Sequence, residues 1–265
     1  RNTENLDRAA SWIGNELREA GLDVEQQEYR LDEGVFRNVV AVRRSARPSA
    51  GVDVVGAHYD AYGEFPGAND NASGVAVLLE LARTLSDEPP RRDQYFVAFS
   101  TEEPPFYGSE SMGSHVFAES LLESGRTVQL MVSLDLVGYY SDDPGSQRFP
   151  FPGLGLLYPR RGNFVAIVGD LRSGRWIDRV KRGMMAVDAL PVHSFRAPGA
   201  LAPVLLSDHL SFRRLGLPGV QVTDTAFMRD PNYHTADDTP DRLDYPRMAR
   251  LVEALHGVLW EGPAD

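Results

Sequence analysis

The chain contains no cysteine among its 265 residues. Disulfide frameworks, thiolate metal sites and cysteine nucleophiles are excluded at once. A cysteine-free chain suits any redox compartment. Positive charge is also scarce: 27 lysines and arginines stand against 38 acidic residues, a formal net charge of -11. A surface of that sign repels phosphate backbones, so nucleic acid is not an expected partner. No apolar run approaches the length of a membrane span. The chain opens at Arg1 rather than methionine, which reads as a processed or trimmed chain from which any signal peptide would already be gone. Equally absent are an HExxH helix, a GxSxG elbow, a P-loop and a GxGxxG turn.

What is present is an ordinary globular balance, 42% hydrophobic and 25% charged. Length, and the lack of repeats or low-complexity linkers, predict one domain over residues 1–265. Leu6, Ala10, Ile13 and Leu17 recur at helical spacing, with Thr3 as cap and Gly21 as stop. Strand-like runs follow at 36–42, 52–57, 94–100, 128–136, 163–169 and 219–222. Helices are expected at 75–85, 109–122 and 173–187, and a last one opens at Pro246 and runs through Met248, Leu251, Leu255 and Val258. Asn71 and Ser73 are candidate caps for the second helix. Residues 141–162 read as one long loop. Alternating strands and helices predict an α/β fold with a largely parallel central sheet.

In such sheets ligands bind beyond the carboxyl ends of the strands. His58 and Asp60 follow one strand, Glu102 and Glu103 the next, Asp135 ends a third, and His234 lies in the loop after a fourth. Each alone reads as a cap or a solvated turn. Together on one rim they read as a site, because burying Asp135 behind the run MVSL is costly unless something positive meets it. A metal is the simplest such group. Imidazole with carboxylate oxygens suits zinc ahead of manganese or cobalt. Two histidines and at least three carboxylates suffice for two ions, with one carboxylate bridging and one left free as a general base.

HYD at 58–60, GANDNASG at 67–74, TEE at 101–103, SLDLVGYYSD at 133–142, SDH at 207–209 and YHTADDTPD at 233–241 occur in that order. This motif set resembles the M28 family of co-catalytic zinc aminopeptidases, from about residue 50 to the C-terminus. The resemblance implies a single-domain α/β/α sandwich with a mixed, mostly parallel sheet, and two zinc ions per chain. His58 and Asp135 would hold one ion, Glu103 and His234 the other, and Asp70 would bridge them. Glu102 would be the general base, and Asp60 would orient the His58 ring. The implied activity is removal of residues from the amino terminus of a peptide substrate. Bacterial members are often exported, which favours a secreted or periplasmic location.

The sequence also departs from the family pattern. Asn69 stands where many members carry aspartate. Val204 occupies the place where some carry a tyrosine that steadies the tetrahedral intermediate, so Tyr139 or Tyr233 would have to serve. Phe106, Tyr107, Tyr139 and Tyr140 are expected to wall the pocket, or else to be core residues. His209 reads as a support rather than a ligand, and His115, His193 and His256 match no motif. Asn71-Ala72-Ser73 forms a glycosylation sequon, discounted for its place beside the bridging aspartate. Three alternatives stand beside the aminopeptidase reading. One is a single-zinc glutaminyl cyclase-like enzyme, another a carboxypeptidase or amidohydrolase of the same family. The third is a ligand-depleted binding ectodomain, disfavoured because every ligand survives.

Overall fold

The computed structural model describes residues 3–46, 51–85, 89–199 and 204–259. Eight strands form one mixed sheet: β1 (Asp23–Leu31), β2 (Gly34–Arg43), β3 (Gly51–His58), β4 (Asp93–Phe99), β5 (Thr127–Leu134), β6 (Val165–Asp170), β7 (Val192–Ala197) and β8 (Val220–Thr223). Their order is β1-β2-β4-β3-β5-β8-β6-β7. β4, β3, β5 and β8 run parallel to one another. β1, β2 and β4 are joined antiparallel, and β6 runs antiparallel to β8 while pairing parallel with β7.

The central strands are apolar on both faces because both faces are covered. Val39, Val55, Phe96, Val132 and Ile167 meet a helical layer of α1 (Thr3–Glu19), α2 (Ser73–Thr84), α4 (Gly174–Val187) and α6 (Tyr245–Leu259). Val40, Val54, Val97 and Met131 turn the other way, toward α3 (Gly113–Glu123) and α5 (His209–Arg214). Successive side chains on a strand point to opposite faces, so one run of valines feeds both cores. The result is the expected α/β/α sandwich.

Three elements were not expected: β1, β7 and α5. β1 and β7 are the two edges of the sheet. An edge strand is half-solvated and carries charge, which erases the apolar signal; β1 reads DVEQQEYRL. α5 has only six residues, too few to show a helical period. Boundaries also shift: α3 begins at Gly113 rather than 109, β5 ends at Leu134 rather than 136, and α6 begins one residue before Pro246. The 141–162 segment is a loop with one short turn at Leu154–Leu156.

Because β3, β4, β5 and β8 are parallel, the segments that leave them all emerge at one edge of the sheet. Non-glycine residues with positive φ gather there: Thr101 follows β4, Leu136 follows β5, and Thr225, Ala226 and His234 follow β8. Such backbone persists only where its surroundings over-determine it, and it concentrates at functional sites.

Candidate active site

The loop after β3 is built to present one carboxylate. Gly67 has φ +65°, in the left-handed region that glycine adopts most readily. Asp238 then receives the three N–H groups that follow, Ala68 N donating to its carbonyl at 3.2 Å, Asn69 N to Oδ1 at 2.7 Å and Asp70 N to Oδ2 at 3.1 Å. Asn71 ties the loop to β5. Its Nδ2 donates to Leu134 O at 2.9 Å, and its Oδ1 accepts from Leu136 N at 3.2 Å, so it holds the backbone on either side of Asp135. The same Oδ1 accepts from Gly74 N at 3.1 Å and closes the first turn of α2. A Cβ on Gly74 would lie 2.4 Å from that oxygen and 2.5 Å from Leu134 O, so only glycine permits the approach. Ser73 is the first residue of α2 rather than its cap. Asn71 is buried, as expected of a sequon that is not an acceptor.

Asn69 has a physical role of its own. Its Nδ2 donates to Asp224 Oδ2 at 2.9 Å and to Asp230 Oδ2 at 2.8 Å, and its Oδ1 accepts from Gly138 N at 2.9 Å. The amide therefore satisfies two buried carboxylates that an aspartate at this position would repel. Burial pushes the Asp224 carboxyl up to about 7 even so.

Asp70 stands between two imidazoles. Its Oδ1 lies 3.4 Å from His58 Nε2 and its Oδ2 lies 2.9 Å from His234 Nε2. Asp135 Oδ1 lies 3.5 Å from His58 Nε2, and Glu103 Oε1 lies 3.5 Å from His234 Nε2. Two donor sets result, His58–Asp70–Asp135 and Asp70–Glu103–His234, each with its ligating atoms within 4.8 Å of one another. The structure thus brings together all five residues that the sequence nominated as ligands. Glu102 Oε2 is 3.9 Å from His58 Nε2 and belongs to neither set.

Asp60 differs in detail from its expected role. Its backbone carbonyl is the group nearer His58 Nδ1, at 3.0 Å, with its Oδ1 at 3.5 Å. Its carboxylate accepts from the backbone N–H groups of Glu102 and Glu103, each at 3.1 Å. One residue therefore faces the imidazole and fixes the turn that carries both glutamates.

The electrostatics are one-sided. Asp60, Asp70, Glu102, Glu103, Asp135 and Asp208 are all buried, against two imidazoles. Burial pushes the Glu102 carboxyl well above the usual carboxylate range, with His58 opposing and Asp135, Asp208 and Glu103 reinforcing. Burial alone would lower the His58 imidazole, but Glu102, Asp135, Asp60 and Asp70 hold it well above its usual value. His234 behaves likewise, lifted against burial to about 9 by Asp70 and Glu103. Asp135 Oδ1 is buried and, among the described residues, accepts no hydrogen bond. Buried carboxylates of this kind call for a cation.

Sequence reasoning missed three contributors. Asp208, in the SDH motif beside the histidine that drew attention, is fully buried and is pushed by burial up to about 7. Gln221 Nε2 donates to Asp135 Oδ2 at 3.3 Å. Tyr62 stacks on the His234 ring at a centroid distance of 4.0 Å, with Tyr233 also stacked on that ring at 3.8 Å. Only the motif position of Asp208 could have signalled any of these.

The cleft has a volume of about 790 Å³ counted to its open mouth, and Val168, Leu206, Phe227, Met228 and Tyr233 form its apolar wall. Of the four aromatics expected there, only Tyr107 lines it. Phe106 packs edge-on against Phe36 at 5.5 Å, Tyr140 is buried beside Arg229 and Arg247, and Tyr139 lies outside the lining. Tyr233 is thus the better placed of the two tyrosines considered in place of Val204, which is a core residue. His209 is buried with Nε2 2.9 Å from Val204 O, and it joins neither donor set.

The chain matches the model of peptidase family M28 over residues 38–155 and 179–259. It is 40% identical over 98% of its length to YfbL, an uncharacterized protein of Escherichia coli strain K12, and spans 81% of that protein. A zinc aminopeptidase from Bacillus subtilis superposes on 87% of the chain with a TM-score of 0.65 at 22% identity, the match spanning 51% of the enzyme. A glutaminyl cyclase from Bacteroides thetaiotaomicron superposes on 99% of the chain with a TM-score of 0.71 at 20% identity, across 91% of its own length. At such identities these structures establish the fold. The chain belongs to peptidase family M28.

Proposed function

From that membership we propose that the chain is a single-domain, two-zinc exopeptidase that removes residues from a free amino terminus. The observation that carries this reading is Asp70, whose two oxygens face two different imidazoles and so belong to both donor sets. The donors fit zinc: imidazole nitrogen and carboxylate oxygen, with the carboxylates buried and outnumbering the two imidazoles. His58 and Asp135 would hold one ion, Glu103 and His234 the other, and Asp70 both. Bound there, the pair would supply Lewis-acid activation of a water molecule and of the peptide carbonyl.

The chain's own groups do the rest. Glu102, beside both donor sets and in neither, takes the proton from the attacking water and delivers it to the departing amine. Asp60 keeps Glu102 and Glu103 in place through their backbone N–H groups. The excess of carboxylates attracts the substrate's terminal ammonium, and Val168, Phe227 and Met228 offer an apolar wall for its first side chain.

The complete second set, Asp70–Glu103–His234, favours this reading over a single-zinc cyclase. The test compares leucine and phenylalanine p-nitroanilides with their N-acetylated forms on zinc-loaded protein. The free amines should be cleaved and the blocked ones not. Equal cleavage of both would refute an aminopeptidase, and cleavage only beside a free carboxylate would make the enzyme a carboxypeptidase.

A further inference from the structure

A second cavity adjoins the cleft. It has a volume of about 520 Å³ counted to its mouth, and it lies between β6, β7 and the loop that crosses them. Phe149, Tyr158, Phe164 and Phe195 supply four aromatic rings to its wall. His193 joins them through ring contacts alone, edge-on to Phe164 at 4.8 Å and to Tyr158 at 6.1 Å. Burial and the nearby Lys181 ammonium hold that imidazole below its usual value, which keeps it uncharged at neutral pH. The polar side chains in its wall have partners: Gln147 Nε2 donates to Thr225 Oγ1 at 2.9 Å, and Ser194 Oγ accepts from Lys181 Nζ at 3.3 Å.

Val168, Thr225 and Met228 line both this cavity and the catalytic cleft. Along β6 the side chains of Phe164, Ala166 and Val168 share one face, so the apolar wall runs continuously from the cleft into the cavity. Equivalent positions on that wall are two residues apart, about 6.6 Å. An extended peptide has the same repeat: its first and third side chains point one way and its second the other. A substrate whose first side chain rests at Val168, and whose chain runs from the cleft toward the start of β6, carries its third toward Ala166.

We propose that this cavity is a specificity site for an aromatic or large apolar side chain at the third residue of the peptide substrate. It rests on the aminopeptidase reading and adds the class of peptide that the enzyme takes. The occupant is apolar because the wall offers rings and no unsatisfied charge, and it is a side chain because the cavity continues the cleft that holds the reacting bond. Binding of this kind acts equally in the ground and transition states, so it lowers KM more than it changes kcat.

The experiment measures kcat/KM for tetrapeptide amides with leucine first, glycine second and fourth, and phenylalanine, glycine or glutamate third. Phenylalanine should exceed glycine by about tenfold or more, the scale of burying one large apolar side chain, and glutamate should not. The phenylalanine-to-glycine ratio is then taken in two variants. Phe149→Ala removes a half-buried ring of the loop, and Ala166→Leu fills the cavity from the strand. Both should bring the ratio close to one, and because each ratio is internal to one variant, partial loss of folded protein does not alter it. A wild-type ratio of one overturns the proposal, as does a ratio that survives both variants. Failure to cleave any of the peptides would bring down the aminopeptidase reading beneath it.

Discussion

The two ends of the central strands treat buried acid in opposite ways. Where β3 begins, Asp53 is 1% exposed and is met by Arg92 Nη1 at 3.1 Å and by Arg179 Nη1 and Nη2 at 3.1 and 2.8 Å. Where β4 begins, Asp93 is met by Arg126 Nη1 at 3.2 Å, Arg44 Nη1 at 3.5 Å and the Ser45 N–H at 2.9 Å. At the far ends of the same strands the buried acids face two imidazoles. Among the described residues, no arginine or lysine pairs with Asp70, Glu102 or Asp135. One end is finished by the chain's own cations. The other, in the proposed reading, is completed by zinc, and the difference separates an acid placed for stability from one placed for chemistry.

The contrast can be sharpened by substitution, and the largest effect is on turnover. Glu102→Gln keeps the size and hydrogen-bonding capacity of the side chain but cannot take a proton. It should lower kcat by about 10²–10⁴-fold, the share of a general base, while the zinc content of the purified variant stays unchanged. Steady-state kinetics with metal analysis on one sample checks both halves.

Stability should respond in opposite directions at the two ends. In chelating buffer, Asp53→Ala leaves two guanidinium groups without their shared carboxylate and should cost about 3 kcal/mol, allowing for the partial exposure of both arginines. Asp135→Asn in the same buffer relieves crowding among carboxylates and should cost less than about 1 kcal/mol or stabilise the chain. Urea unfolding of both variants decides the matter, and equal losses would erase the contrast. An intermediate effect is expected from Asn69→Asp, which replaces two donated hydrogen bonds with a third carboxylate facing Asp224 and Asp230. Its cost should be about 1–3 kcal/mol in the same assay.

How much of this was legible in the sequence depended on the kind of signal. β3, β4 and β5 announced themselves because strands buried on both faces must be apolar throughout, and the residues just past them named the rim. β1 and β7 stayed hidden because edges answer to solvent as well as to the core. The five nominated ligands come together as expected, since each sits in a motif whose spacing is fixed by the turn that carries it. Tyr62 and Gln221 were invisible, because their contacts with His234 and Asp135 depend on how separate segments pack. The aromatic wall failed for the same reason: Phe106 and Tyr140 follow ligands in sequence, but their rings turn into the core. The backbone carbonyl of Asp60 at His58 could not be read from a motif that records side chains alone.

The account stands or falls on the claim that the carboxyl end of the sheet is completed by two ions sharing Asp70. The direct measurement is the zinc stoichiometry of the chain, by calorimetric titration of the metal-free protein with elemental analysis of the saturated product. Two equivalents per chain are predicted, falling to one or fewer in Asp70→Ala, which removes the oxygen that each set draws from the bridge. A wild-type protein that saturates at a single equivalent would contradict the account and favour a one-metal enzyme of the cyclase type.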